Sequence, residues 1–200
     1  MPGLRLPYTF DHPRETARLR IRPMVLEDVD DIHAYQSLPD VCRFIPFEPR
    51  SHDEVRAKVE QFSKALTLAG EGDYWQLAIE RRDAPGVIGD LYFKVHSAEG
   101  AQGEIGWSMH PDHHGNGFMT EAASGLLDLA FGELGIHRIC ARIDPRNHPS
   151  AALCRRLGLR FEAHHAEDEW FKGEWGDTVI YAVLDREWTA RRPAPGRPRG

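Results

Sequence analysis

Residues 104–121 read EIGWSMHPDHHGNGFMTE, and the fold turns on how this stretch is taken. Residues 104–109 predict a strand. A polar turn follows, with Pro111, Gly115 and Gly117, and an amphipathic helix starts near Met119. Strand, glycine-containing loop and helix N-terminus together can hold a phosphate. Glycine lets the backbone come close, successive N–H groups can converge on an anion, and the first helical turn adds unpaired N–H groups and the positive end of its dipole. GNG also fits a plain turn. No GK[ST] follows and GxGxxG is incomplete, so neither the P-loop nor the dinucleotide fingerprint applies.

Working outward, Ala123, Leu126, Leu127, Ala130, Phe131 and Leu134 recur at helical spacing, and Gly135 is the predicted stop. A strand over 137–143 then returns the chain. This strand–helix–strand unit implies one parallel pair inside a mostly antiparallel sheet. Upstream, residues 74–80 and 87–95 alternate as strands across a DAPG turn and make a consecutive antiparallel set with 104–109. Residues 16–23 predict a first strand, LEDVDDIHAYQ a short helix and residues 38–49 a loop. Ser51 and Glu54 form a capping box for a helix reaching about Ala69. Downstream, 150–157 predicts a short helix. Residues 161–172 and 178–184 predict a closing hairpin across GEWGD. Residues 1–15 are expected as an extended, loosely ordered arm and 189–200 as a basic Pro/Arg-rich tail, leaving 16–188 as the domain.

The 200 residues suit one domain with a sizeable core. Net charge is −6, and the last ten residues hold four arginines and no acid, so residues 1–190 carry −10. An acidic body argues against a nucleic-acid partner and for a cationic substrate, although a surface charged for solubility gives the same balance. No apolar run approaches a membrane span and the N-terminus lacks a signal-like segment, so the expectation is a cytoplasmic protein with no membrane partner. Cys42, Cys140 and Cys154 are too scattered for a disulfide framework or zinc site. His110, His113 and His114 cluster but fit no helical ligand pair, so no metal is expected.

HHGNGFMTEA resembles the pyrophosphate loop of the GNAT superfamily of acyl-CoA transferases, whose pattern is Gln/Arg-x-x-Gly-x-Gly/Ala. The six positions here read His114, Gly115, Asn116, Gly117, Phe118 and Met119. His114 replaces Gln/Arg and Met119 a small residue. The similarity extends over about 16–188 and is nearest to RimJ/RimL-like acetyltransferases. TARLRIRPMVLEDVDDIHAYQSLPDVCRF, GVIGDLYF, GEIGWSMHP, ARIDPRNHPSAALCRRLGLRFEA and GEWGDTVIYAVLDREW resemble successive segments of that group. The resemblance implies an α/β fold with a GNAT-like mixed, mostly antiparallel central sheet, flanked by helices and splayed after the fourth strand. It also implies acetyl-CoA or another acyl-CoA in the gap.

Transfer of an acyl group to an amine needs three things. The amine must lose a proton, the thioester oxygen needs a donor and the leaving thiolate needs an acid. An α-amine, with a pKa near ~8, is easier to deprotonate than a lysine near ~10.4. The resemblance points to main-chain groups of Trp107, Ser108 and Met109, freed by a bulge, for the oxyanion and the pantetheine arm; an ordinary strand is the plain alternative. Asn147 and Ser150 match the family's Asn-x-x-Ser, with Asn147 on the cofactor arm or simply a helix cap. Many relatives carry Tyr at position 154, where this chain has Cys154. Ser150 is then the first choice of acid, with Cys154 second or merely packed. Glu104, Glu169 and Asp177 are the general-base choices, and an ordered water is another. His114 is expected to meet a cofactor phosphate.

The resemblance implies an N-acyltransferase moving an acyl group, acetyl first, from acyl-CoA to a primary amine of a protein N-terminus or a small molecule. A succinyl-CoA or other acyl-CoA transferase, or a non-catalytic CoA-binding module, is the alternative. A homo-oligomer is compatible with the sequence.

Overall fold

The structure is a computed structural model describing residues 3–191. Ten strands and six α-helices follow in chain order. β1 (Tyr8–Thr9), β2 (Arg14–Glu15) and β3 (Leu19–Pro23) lead into α1 (Val29–Gln36), α2 (Pro39–Cys42) and α3 (His52–Lys64). β4 (Thr67–Leu68), β5 (Tyr74–Arg81), β6 (Val87–Ser97) and β7 (Gln102–Met109) precede α4 (Phe118–Leu129). β8 (Arg138–Ile143), α5 (His148–Leu157), β9 (Arg160–Phe171), β10 (Glu174–Leu184) and α6 (Asp185–Arg191) complete the chain.

The main sheet has the order β2-β3-β5-β6-β7-β8-β10-β9 and is antiparallel except between β7 and β8. That parallel pair is the one the strand–helix–strand reading requires. It lasts only from Gln102↔Arg138 to Glu104↔Cys140. Beyond it the strands part, and β7, fourth counting from β3, runs on to Met109 paired with β6 only. This is the mixed α/β fold that the sequence implied.

Two apolar clusters sandwich the sheet. Ile32, Tyr35, Val55 and Val59 of α1 and α3 pack on Ala78 and Val87 on one face. On the other, Leu126 and Leu127 of α4 and Leu153 and Leu157 of α5 pack on Leu77, Leu91 and Phe93. Hydrophobic burial on both faces of β5 and β6 explains why those strands are apolar almost throughout.

Several boundaries differ from expectation. α3 keeps its Ser51 capping box but ends at Lys64, not near Ala69. Thr67–Leu68 instead pairs with Tyr8–Thr9, so the N-terminal stretch is extended but packed. Arg14 grips Glu133 through two nitrogens at 2.8 and 2.7 Å, and the Tyr8 hydroxyl donates to the same carboxylate. The loop over 38–49 contains α2, begun by Pro39, whose fixed φ suits a first helical turn. The closing hairpin turns at Lys172 and Gly173, with φ of 50° and 85°, not across GEWGD. Both turn residues at positive φ match the twist of a tight two-residue hairpin, so Gly176 is left inside β10. At the C-terminus, 189–191 still belong to α6, and the rest of the expected tail lies outside the described residues.

Candidate active site

The site begins where β8 leaves β7. His110 N–H donates to Ile88 O at 2.9 Å, which fixes the phase of the β6–β7 ladder. Residues 104, 106 and 108 therefore bond β6 through their main chain, while Trp107 and Met109 turn their N–H and C=O groups toward the departing β8. No bulge is involved: the register is unbroken from Gly89↔Met109 to Val95↔Gly103. Divergence of β8 does what the bulge was expected to do. Ser108, expected to offer its main chain, is tied into β6 and sends its side chain to Asp90.

The loop that follows is open outward. Gly115 and Gly117 take φ of 78° and 76°, and a Cβ at Gly115 would meet nothing within 4 Å. Among the described residues, no protein acceptor receives the N–H groups of residues 115–120. Around this ring of donors lie two guanidinium groups. Arg18 donates to Asn116 O at 3.0 Å and stacks on Phe118 at 4.6 Å, while Arg156 reaches Thr120 Oγ1 at 3.4 Å. Arg18 is also ion-paired with Glu121 at 2.6 Å, so the unpaired N–H groups at the helix N-terminus, with Arg156 beside them, are what fit a diphosphate. Met119 packs partly into the core. His114 is exposed, and its Nε2 lies 3.1 Å from Met109 O.

α5 faces the same gap. Asn147 caps it, its Oδ1 accepting from Ser150 N–H at 3.1 Å. Trp107 Nε1 donates to Ser150 Oγ at 3.2 Å. Cys154, one turn further, is wholly buried, and burial pushes its thiol up to about 12. It packs in the core, where the thiol stays protonated and closed off from solvent.

On the α1 face, the gap opens into a cleft of about 180 Å³. Phe44 and Pro46, Glu104, Arg142 and Asp144, and Glu169, Phe171 and Asp177 line it. Lys172, next to Phe171, ties the hairpin to the segment that carries Phe44 and Pro46, donating to Cys42 O at 2.7 Å and Phe47 O at 2.9 Å. Asp177 is engaged by Glu167 N–H and His164, which hold its carboxyl below the usual range. Asp144 is held by Arg146. Glu104 and Glu169 have no side-chain partner among the described residues. A larger hollow, about 470 Å³, lies along the outer side of α4 beside Arg14 and Glu133, but no residue of the gap lines it.

Residues 18–160 match the family model described as an acetyltransferase (GNAT) domain. The chain belongs to the GNAT acetyltransferase family. The uncharacterised N-acetyltransferase p20 of Bacillus licheniformis is 31% identical over 173 residues, covering 86% of this chain and 96% of the relative. The ribosomal protein uS5-alanine N-acetyltransferase of Escherichia coli is 32% identical over 93 residues, 46% of this chain and 45% of the relative. The crystal structure of a GNAT-family acetyltransferase from Bacillus anthracis superposes with a TM-score of 0.79 at 27% identity, covering 88% of this chain and 100% of that one. This GNAT protein is thus an acyl-CoA-dependent N-acetyltransferase.

The structure brings Trp107, Met109, Ser150 and the 114–119 loop together around one gap, with Glu104 and Glu169 in the adjoining cleft. Sequence reasoning passed over Arg142, Phe44 and Asp90. Asp90 carried a signal, being a lone acid inside the apolar strand VIGDLYF. No helix among the described residues is long and apolar enough to cross a membrane. No group of three or more His, Cys, Asp or Glu side chains is gathered there to hold a metal.

Proposed function

We propose that this GNAT enzyme moves an acetyl group from acetyl-CoA to a primary amine, on a protein N-terminus or a small molecule, in the manner of RimJ/RimL-like enzymes. The observation that carries this reading is the gap itself. Free main-chain donors lie on one side of it and two unpaired carboxylates, Glu104 and Glu169, in the cleft on the other. The partial likeness to an enzyme named for a ribosomal-protein alanine supports an α-amine acceptor.

The residues divide the work. N–H groups of the loop at Gly115, Asn116, Gly117, Phe118 and Met119 would hold the cofactor's diphosphate. Main-chain N–H groups of Trp107 and Met109 would face the acyl oxygen, where fixed donors act with no reorganisation. Asn147, already a cap, keeps its amide N–H₂ for the cofactor arm. Ser150 would protonate the leaving sulfur. Glu104 would take the proton of the incoming ammonium, and Glu169 would draw a cation into the cleft. The catalytic unit is assigned to 16–188. Three buried, unpaired cysteines agree with a reducing cytoplasm.

Release of free CoA from acetyl-CoA, measured against alanyl peptides, spermidine and amino sugars, tests the reading. Turnover of at least one amine, with succinyl-CoA a poor donor, is the expected result. Tight CoA binding with no amine turned over would leave a CoA-binding module instead.

A further inference from the structure

Asp90 of β6 is 3% exposed and takes no part in the roles above, yet side chains from three other elements converge on its carboxylate. Its Oδ2 accepts from Tyr35 Oη at 2.5 Å and from Ser108 Oγ at 2.6 Å, and its Oδ1 from Gln76 Nε2 at 2.5 Å. Gln36 stands at 3.5 Å and is itself held by Arg50. An apolar residue would fill this place at less cost, because a buried carboxylate must be satisfied by every neighbour at once. Three donors from three elements meet that demand.

Two of these donors, Ser108 and Gln76, are half-open to solvent, and Ser108 is the one on β7, the strand that bounds the gap. Strand alternation puts Ser108 on the same face of β7 as Glu104 and Gly106, the face that carries the acceptor cleft. Gly106 has no side chain, so the strand floor between Glu104 and Ser108 is bare, bordered by Tyr92. A serine hydroxyl has a single proton. Here that proton is committed to Asp90, so on this face of β7, beyond the residues that line the cleft itself, Ser108 can show an incoming group only lone pairs.

We infer that the Asp90–Ser108 pair fixes the polarity of the acceptor side, making Ser108 Oγ an obligatory hydrogen-bond acceptor for an N–H of the attacking amine. Ser108 would orient the nucleophile, and Asp90 is a positioning residue acting through it. The inference rests on the acceptor reading above and adds a residue to it. It also accounts for the donors of Tyr35 and Gln76, which saturate the remaining carboxylate lone pairs and leave Asp90 no other hydroxyl to bind.

The test uses the full chain with acetyl-CoA and the amine that the panel shows to be turned over fastest. Ser108→Ala is expected to lower kcat/KM for the amine about tenfold, the worth of one hydrogen bond to a charge-assisted acceptor. Acetyl-CoA affinity by calorimetry is expected to be unchanged. Ser108→Thr keeps the hydroxyl and should restore most of the loss. Asp90→Asn should lose as much as Ser108→Ala, and the double variant no more than either, because both act on one bond. An unaffected Ser108→Ala enzyme would overturn the inference and leave Asp90 a structural hub, as would equal losses in Ser108→Thr and Ser108→Ala. Should Asp90→Asn fail to fold, the Ser108 pair still decides. A wild-type enzyme that turns over no amine overturns the acceptor reading and this inference with it.

Discussion

Trp107 Nε1 donates to Ser150 Oγ at 3.2 Å, the one side-chain hydrogen bond that crosses from β7 to α5 where the sheet has parted. The indole occupies a lone pair of the hydroxyl and leaves its proton to be given elsewhere. Ser150 is therefore set up as a donor on the cofactor side of the gap. Ser150→Ala should lower kcat about tenfold or more with little change in CoA affinity, since the proton matters when the thiolate leaves. Stopped-flow turnover and calorimetry together check this. A fully active variant would take Ser150 out of the reaction.

The loop prediction concerns Gly117, which enters α4 at a φ of 76°. A β-branched side chain is strained in that region, and its bulk would stand before the row of unpaired N–H groups. Gly117→Val should weaken CoA binding by at least about tenfold while the protein stays folded, the helix beyond being held by the core. Unchanged affinity in a folded variant would remove the loop from cofactor binding.

Glu104 and Glu169 share the cleft but not the task assigned to them. Glu104→Gln should reduce kcat/KM by about a hundredfold near pH 7, the usual worth of a positioned base, and the deficit should shrink as the amine deprotonates itself at higher pH. Glu169→Gln should act mainly on amine KM. If the two variants exchange these signatures, the assignments exchange with them.

Cys154 should be silent. Its thiol, pushed up to about 12 by burial, is protonated at any working pH. Cys154→Ala should keep full turnover and cost about 1–2 kcal/mol of stability from the lost packing. Iodoacetamide should label none of the three buried cysteines until the protein unfolds. Rapid labelling in the native state would contradict the burial on which the packing role rests.

What the sequence disclosed follows a physical division. Local pattern was enough for α4 and the π-helical turn, Ala130–Leu134, that carries it on to Gly135, and for the Ser51 capping box, which needs only four residues. The parallel β7–β8 pair followed from the helix between them. The Lys172–Gly173 turn was missed because the more conspicuous glycine pair of GEWGD drew the reading, while a lysine at positive φ has no sequence signal. β4 was missed because its two residues are strand only by pairing with Tyr8 and Thr9, far away in sequence. At the site, residues 114–119 were legible as a loop. That His114 folds back onto Met109, or that Ser108 answers to Asp90, depends on side chains converging from separate elements.

Charge gives the last prediction, in a reduced form. Six acids lie late in the chain: Glu162, Glu167, Asp168, Glu169, Glu174 and Asp177. In the fold, Glu162 meets Arg138 and Arg160, Asp168 meets Arg142, Glu174 meets Arg146 and Asp177 meets His164. Of the acids lining the cleft, Glu104 and Glu169 have no side-chain partner among the described residues. A cationic amine should still be drawn in, and salt should screen the attraction over a Debye length of roughly 10 Å at 0.1 M. Amine KM should therefore rise about two- to threefold between low and 0.5 M salt, a modest slope for two charges. Acetyl-CoA KM should move less, because its loop contacts are short and local. Glu169→Lys should abolish most of the slope. Asp168→Lys should raise amine KM as well, by releasing Arg142 into the cleft. A flat amine KM in salt, unmoved by either reversal, would mean that these acids only solvate the β9–β10 hairpin and that the cleft does not select for a cation.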